Sequence, residues 1–215
     1  MLAWHFLSED KRLGYGDGRL VEVGQTLECK GKPAPCKNGM HGSVRLIDAL
    51  RYASGPIVCR VDIEGDVIEE EDKLCGRRRT VLWMLDATQL LHEFACRCAE
   101  DALALVAQPD ARSVEAIAAK RKWLKGEITD EELDAASAAA WDASDVALAA
   151  AAGAAAWDAA SAAASAAARD AARAASWAAA EAAWAAAEAA RAAARAKQNE
   201  RLTAMVMEAH EKESV

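Results

Sequence analysis

An α+β fold, with a small mixed sheet at the N-terminus and a long alanine-rich helical tail behind it, follows from three features of the sequence. Short apolar runs punctuated by Gly, Pro and Asp-Gly fill residues 1–85, which is the pattern of strands and turns. No proline follows Pro109. From Asp134 to Lys197 the chain is mostly alanine, the residue of highest helix propensity, with larger residues recurring every three or four positions. The chain therefore divides into an α+β head (1–85), a helical connector (86–126) and a tail (127–215).

In the head, Ala3 to Leu7 (AWHFL) and Arg19 to Val23 (RLVEV) read as short strands joined through Gly14, Gly16, Asp17 and Gly18. Asp-Gly supplies the positive φ of a tight turn; a phosphate cradle would need a following helix and a Lys with Ser or Thr. Thr26 to Gly42, rich in Cys, Gly, Pro and Lys, reads as an ordered loop. Ser43 is placed to cap a helix through Leu46, Ile47, Leu50 and Tyr52 that stops at Gly55-Pro56. Ile57 to Ile63 (IVCRVDI) is the clearest strand. Thr80 to Leu85 (TVLWML), apolar on both faces, predicts a central one. Between them, Glu69 to Asp72 and Arg77 to Arg79 read as solvated, mutually compensating charges.

Asp86 caps a connector helix from Ala87 to the neighbourhood of Ala107, with Leu90, Leu91, Phe94, Cys98 and Leu105 on its buried face. Pro109-Asp110 ends it, and a shorter helix from Ser113 to Lys125 is closed by Gly126. Thr129-Asp130-Glu131-Glu132 is a capping box, and the long helix begins there.

Along the tail, Trp177, Glu181, Trp184, Glu188, Arg191, Arg195, Gln198 and Leu202 form one stripe of a helix. As a single rod from Asp130 to Lys212 the tail would extend about 125 Å. Gly153 is the natural place for a fold-back, although a Gly inside a helix costs only about 1 kcal/mol relative to Ala. Charge favours the fold-back: eight acids and no base lie between Glu127 and Asp158, while bases outnumber acids from Arg169 to Arg201. A helical hairpin or coiled-coil-like tail is expected. Trp141, Trp157, Trp177 and Trp184, large residues on helices otherwise poor in them, are the expected interaction anchors and point to a homo-oligomer.

The net charge of −8 belongs to the tail, because acids and bases balance up to Lys125. Without a basic surface, sequence-independent nucleic-acid binding is excluded. No apolar run is long enough to span a membrane, and no leader pattern opens the chain. Six cysteines without such a leader imply reduced thiols and a cytoplasmic protein.

Two constellations carry chemistry. Cys29, Cys36 and His41, with Cys59 as a fourth ligand, are chemically suited to zinc, but their spacing is not that of a paired Cys-x-x-Cys site, and small buried thiols are the simpler reading. No metal and no cofactor is expected. His5, Arg19, His41, Ser43 and Tyr52 are the one set with catalytic potential. A strand His followed by Gly-x-His-x-Ser and Ala-Leu-x-Tyr-Ala is similar in order to the His/Tyr/Glu-type ADP-ribosyltransferases. That resemblance implies His5 on a ribose and Tyr52 stacked on nicotinamide. Glu64 and Glu69 both remain open as the acidic residue. The simpler reading of all five is a core and hydrogen-bonding role.

Tyr15 to Arg19 (YGDGR), Pro35 to Ser43 (P-C-x-x-G-x-H-x-S), Asp48 to Gly55 (D-A-L-x-Y-A-x-G), Asp72-Lys73 and the W-L-x-G-E-I-x-D-E-E-L start of the tail resemble a group of uncharacterised bacteriophage and prophage proteins. The resemblance implies a viral accessory protein in the host cytoplasm. Together with the Ala-rich tail it leads to the expectation of a non-enzymatic protein that self-associates or binds a host protein, with anti-defence as a natural use in a phage context. A transferase-like enzyme and a virion structural component are the alternatives.

Overall fold

The computed structural model describes residues 1–14, 17–104, 111–136 and 173–214, with side chains of the last helix described from 188 onward. They fall into two compact units, Met1–Leu91 with Lys197–Val215, and His92–Ala196. The first unit is the head. It takes in the C-terminal segment as well, a stretch that the sequence groups with the tail.

Among the described residues, seven strands and a short helix build the N-terminal part of the head: β1 (Leu2–Leu7), β2 (Thr26–Glu28), β3 (Met40–Gly42), α1 (Leu46–Leu50), β4 (Ile57–Glu64), β5 (Ile68–Glu69), β6 (Leu74–Gly76) and β7 (Arg78–Asp86). The α+β expectation holds. The larger sheet has the order β1-β4-β7-β2 and the smaller one β3-β6-β5, with antiparallel pairing throughout. The chain passes from one sheet to the other four times, between β2 and β3, β3 and β4, β4 and β5, and β6 and β7. A bridge from Trp4 to Ser43 ties β3 back to β1, the two residues exchanging backbone bonds of 2.8 and 2.9 Å.

Ala3, Leu7, Cys59, Val61, Ile63, Leu74 and Val81 pack into a core with Met40, Val21 and Leu27. Two glycines allow this close approach. A Cβ on Gly42 would sit 3.0 Å from the Trp4 carbonyl and 2.9 Å from Ile63, and one on Gly76 would overlap Ile63 outright.

Alternation along the strands sends Trp4, Phe6, Val58, Trp83 and Leu85 to the opposite face. That face is covered by the end of α4 (Arg173–Glu213). Leu202, Val206 and His210 recur every four residues and so share one helix face. Leu202 and Val206 are fully buried, each stabilising by about 2 kcal/mol. His210 stacks on Trp83 at 4.0 Å, Trp83 meets Trp4 edge-on at 5.7 Å, and the Asn199 side-chain carbonyl accepts the Ile47 amide at 3.1 Å.

Four expectations are corrected. Residues 19–23 are irregular, joined to the chain before the turn by an Arg12–Leu20 bridge; the edge strand is β2, inside the expected loop, as is β3. Ser43 does not cap a helix, because its backbone is paired with Trp4, and α1 starts after Arg45 with no side-chain cap. The basic run does not pair with Glu69 to Asp72: Arg77 binds Glu28 at 2.7 Å, Arg78 binds Glu64 at 3.4 Å, and Arg79 is only 2% exposed. The strand period explains the burial, since Arg79 stands two residues before Val81 and faces the same way.

The second unit contains most of α2 (Thr88–Leu103) and all of α3 (Ala111–Leu124). Asp86 receives the Thr88 amide and hydroxyl at 2.9 and 2.6 Å, which starts α2 as expected. Arg121 clamps Glu93 and Glu100, each at 2.7 Å, and Lys120 lies 3.7 Å over Trp123. The capping box forms: Thr129 receives the Glu132 amide at 3.3 Å and Glu132 returns to the Thr129 amide at 2.9 Å. Residues 130–136 are helical. Gly153, Trp141 and Trp157 lie outside the described residues. Among those described, no helix is long and apolar enough to cross a membrane.

Candidate functional site

Most of the residues singled out for transferase or zinc chemistry lie along one polar thread through the head. At its outer end Tyr52 donates to Asp72 at 2.7 Å, and Arg51 approaches the same carboxylate at 3.2 Å. The Tyr52 bond holds the Asp72 carboxyl below its ordinary range, and the same bond raises Tyr52. Lys73, next in sequence, sits 5.6 Å over the Tyr52 ring and donates to the Cys36 sulfur at 3.0 Å and to Glu70 at 3.1 Å. These bonds, first to Cys36 and then to Glu70, keep its ammonium above the usual value.

Cys36 adopts a left-handed backbone, φ 60°, rare for a residue with a side chain. Its amide donates to His41 Nε2 at 3.3 Å, which makes that nitrogen an acceptor and His41 neutral in this arrangement. Burial, then Arg79 and Lys73, lowers the His41 pKa in agreement.

The thread ends inside. Arg79 Nη1 donates to the His41 carbonyl at 2.8 Å, while Nε and Nη2 are buried without a partner among the described residues. Burial pushes the Arg79 pKa down to about 10, still a full cation at neutral pH. Its charge reaches His5, whose imidazole is driven well below its ordinary range by burial first, then by Arg79 and His41. Cys59, across from His5 in the sheet, is pushed up to about 12 by burial and stays a neutral thiol. Arg19 lies nearer the surface, holding Asp17 through Nε and Nη2 at 2.6 and 2.7 Å.

The transferase constellation is thus only partly assembled. His5, His41 and Arg79 act on one another; Tyr52 is half-exposed and linked to them only through Asp72, Lys73 and Cys36; Ser43 contributes its backbone to the sheet. Neither open acid stands out as catalytic: Glu64 pairs with Arg78 and Glu69 is exposed on β5. The zinc set does not converge, because among the described residues no three His, Cys, Asp or Glu groups are placed to hold a metal. Cys29 and Cys59 are buried while Cys36 is exposed. Trp177 and Trp184 lie on α4, and their side chains fall outside the described ones.

Sequence reasoning missed Arg79, Lys73 and Asp72 as participants. For Arg79 a signal existed: the alternation of the TVLWML strand, extended two residues upstream of Val81, turns Arg79 inward. Lys73 stands in the Asp72-Lys73 motif, but nothing local in the sequence shows that it meets Cys36, a contact that follows from the pairing of β3 with β6.

The class defined by these features is an α+β domain of two antiparallel sheets with a polar thread ending at a buried arginine. Residues 1–93 match the family model of a domain of unknown function (DUF7666). The match ends before the C-terminal helix that completes the head. No curated protein and no solved structure matches the chain.

Proposed function

We propose that the protein is a phage-encoded, non-enzymatic accessory protein of the host cytoplasm, which works by self-association and by binding a host protein through its alanine-rich helices. Countering a host defence system is the natural use of such a factor. The observation that carries the reading is the division of α4. Its last turns are a structural layer of the head, whereas Trp177 and Trp184, one heptad apart, belong to the turns assigned to the other unit. Residues 188–194 are exposed all round, and alanine turns of this kind gain stability from a neighbouring helix. A fold-back at Gly153 would set the acidic arm of the tail against its basic arm. Phage origin and host cytoplasm rest on the motif resemblance.

The test is light scattering of the full chain at micromolar concentration. We expect an oligomer whose mass falls to that of the monomer in the Trp177→Ala, Trp184→Ala double variant. A monomeric wild type would overturn self-association. The transferase alternative draws on the polar thread from Tyr52 to His5: transfer of label from NAD to host lysate by wild type, lost in His5→Ala, would replace the non-enzymatic reading. Recovery of the protein in purified particles by mass spectrometry would instead make it a virion component.

A further inference from the structure

The buried edge of Arg79 asks for an acceptor that the described protein does not supply. Nη1 is held by the His41 carbonyl, which fixes the plane of the guanidinium. Nε and Nη2, the two nitrogens left over, form the side-on edge, whose parallel N–H groups match the two oxygens of a carboxylate or phosphoryl group. Arg79 is 2% exposed, so water at the surface does not satisfy this edge.

Nor, among the described residues, does any neighbouring charge neutralise it. Asp17, the carboxylate that acts on Arg79, is itself engaged by two bonds from Arg19. Cys59 is a neutral thiol. Arg19 adds positive potential, and a buried cation without a counter-charge is costly to the fold.

We propose that the side-on edge of Arg79 is a binding site for an oxyanion carried by a small ligand. The anion takes two parallel hydrogen bonds from Nε and Nη2 and supplies the missing negative charge. The site is independent of the self-association reading, since Trp177 and Trp184 have no part in it.

The experiment follows the Arg79 Nε–H cross-peak of the ¹⁵N-labelled full chain, assigned by its loss in Arg79→Met. Inorganic phosphate, acetate and chloride are titrated at matched ionic strength. We expect a saturable shift of this peak with phosphate or acetate and none with chloride. A shift with phosphate alone identifies a phosphoryl ligand, and one with acetate alone a carboxylate. In parallel, the Tm of wild type should rise with the same anion while that of Arg79→Met stays flat. No saturable shift in either anion, or equal Tm rises in both proteins, would overturn the site. If Arg79→Met does not fold, the wild-type titration decides, with the peak assigned by through-bond correlation.

Discussion

On one face of the four-stranded sheet stand Trp4, Phe6, Val58, Trp83 and Leu85, covered by a helix that brings Leu202, Val206 and a stacked His210. On the other, His5, Cys59 and Arg79 share the surface with Ala3, Leu7, Val61, Ile63 and Val81. The strands are the same and so is the alternation; the difference is what each face is closed by. The first is closed by area, which stabilises without direction. The second encloses a guanidinium and an imidazole, groups that are costly to bury unless something pairs with them. The helix-covered face holds apolar and aromatic packing, whereas the enclosed face combines the main core with the groups that have capacity for chemistry.

The largest effect should come from the covered face. Leu202→Ala removes a fully buried side chain that lies outside the family-matched stretch of sequence and should cost about 2–5 kcal/mol, read as a fall in the urea midpoint. A change within a few tenths of a kcal/mol would show that the C-terminal helix is an accessory to the head and not a layer of it.

A smaller loss is expected where the two sheets approach each other. Gly76→Ala places a Cβ against Ile63 and 3.0 Å from the Glu64 carbonyl, and overpacking of this kind costs about 1–3 kcal/mol. Preserved stability would mean that the small sheet can move away, so that the enclosed face is looser than its burial suggests.

The shallowest effect is with pH. His5 and His41 have folded pKa values below the ordinary value of about 6.5. The unfolded chain therefore binds protons first. The stability they contribute is fully present above the unfolded value and is lost as pH falls from there through the lowered folded values. Tm should decline on going from pH 7.5 to 5.5, before carboxylates titrate, and His5→Gln should flatten the decline. A flat wild-type profile over that window would show that the enclosed face accepts protons at no cost.

Local signals made much of this architecture legible. The strands around Ile57 to Ile63 and Thr80 to Leu85, the Asp86 start of α2, the Gly126 stop and the Thr129–Glu132 box each depend on residues a few positions apart, and each is where the sequence places it. The stripe that ends at Leu202 was visible too, as a helical face with a large residue at its end. What covers that residue was not. The candidate site divides the same way: His5 and His41 could be picked out by residue type, but Arg79 looked like one of three solvated arginines.

By itself, then, the sequence determined the α+β class, the main strands and helix boundaries, and the alanine-rich character of the tail, because propensity, capping and period are properties of neighbours along the chain. Only the tertiary structure decided that residues 197–213 close the head, that Ser43 belongs to a sheet, and that one arginine of the Arg77 to Arg79 run faces inward. Each of these depends on pairing between residues dozens to more than a hundred positions apart, where a contact is decided by which apolar face remains uncovered and not by any local preference.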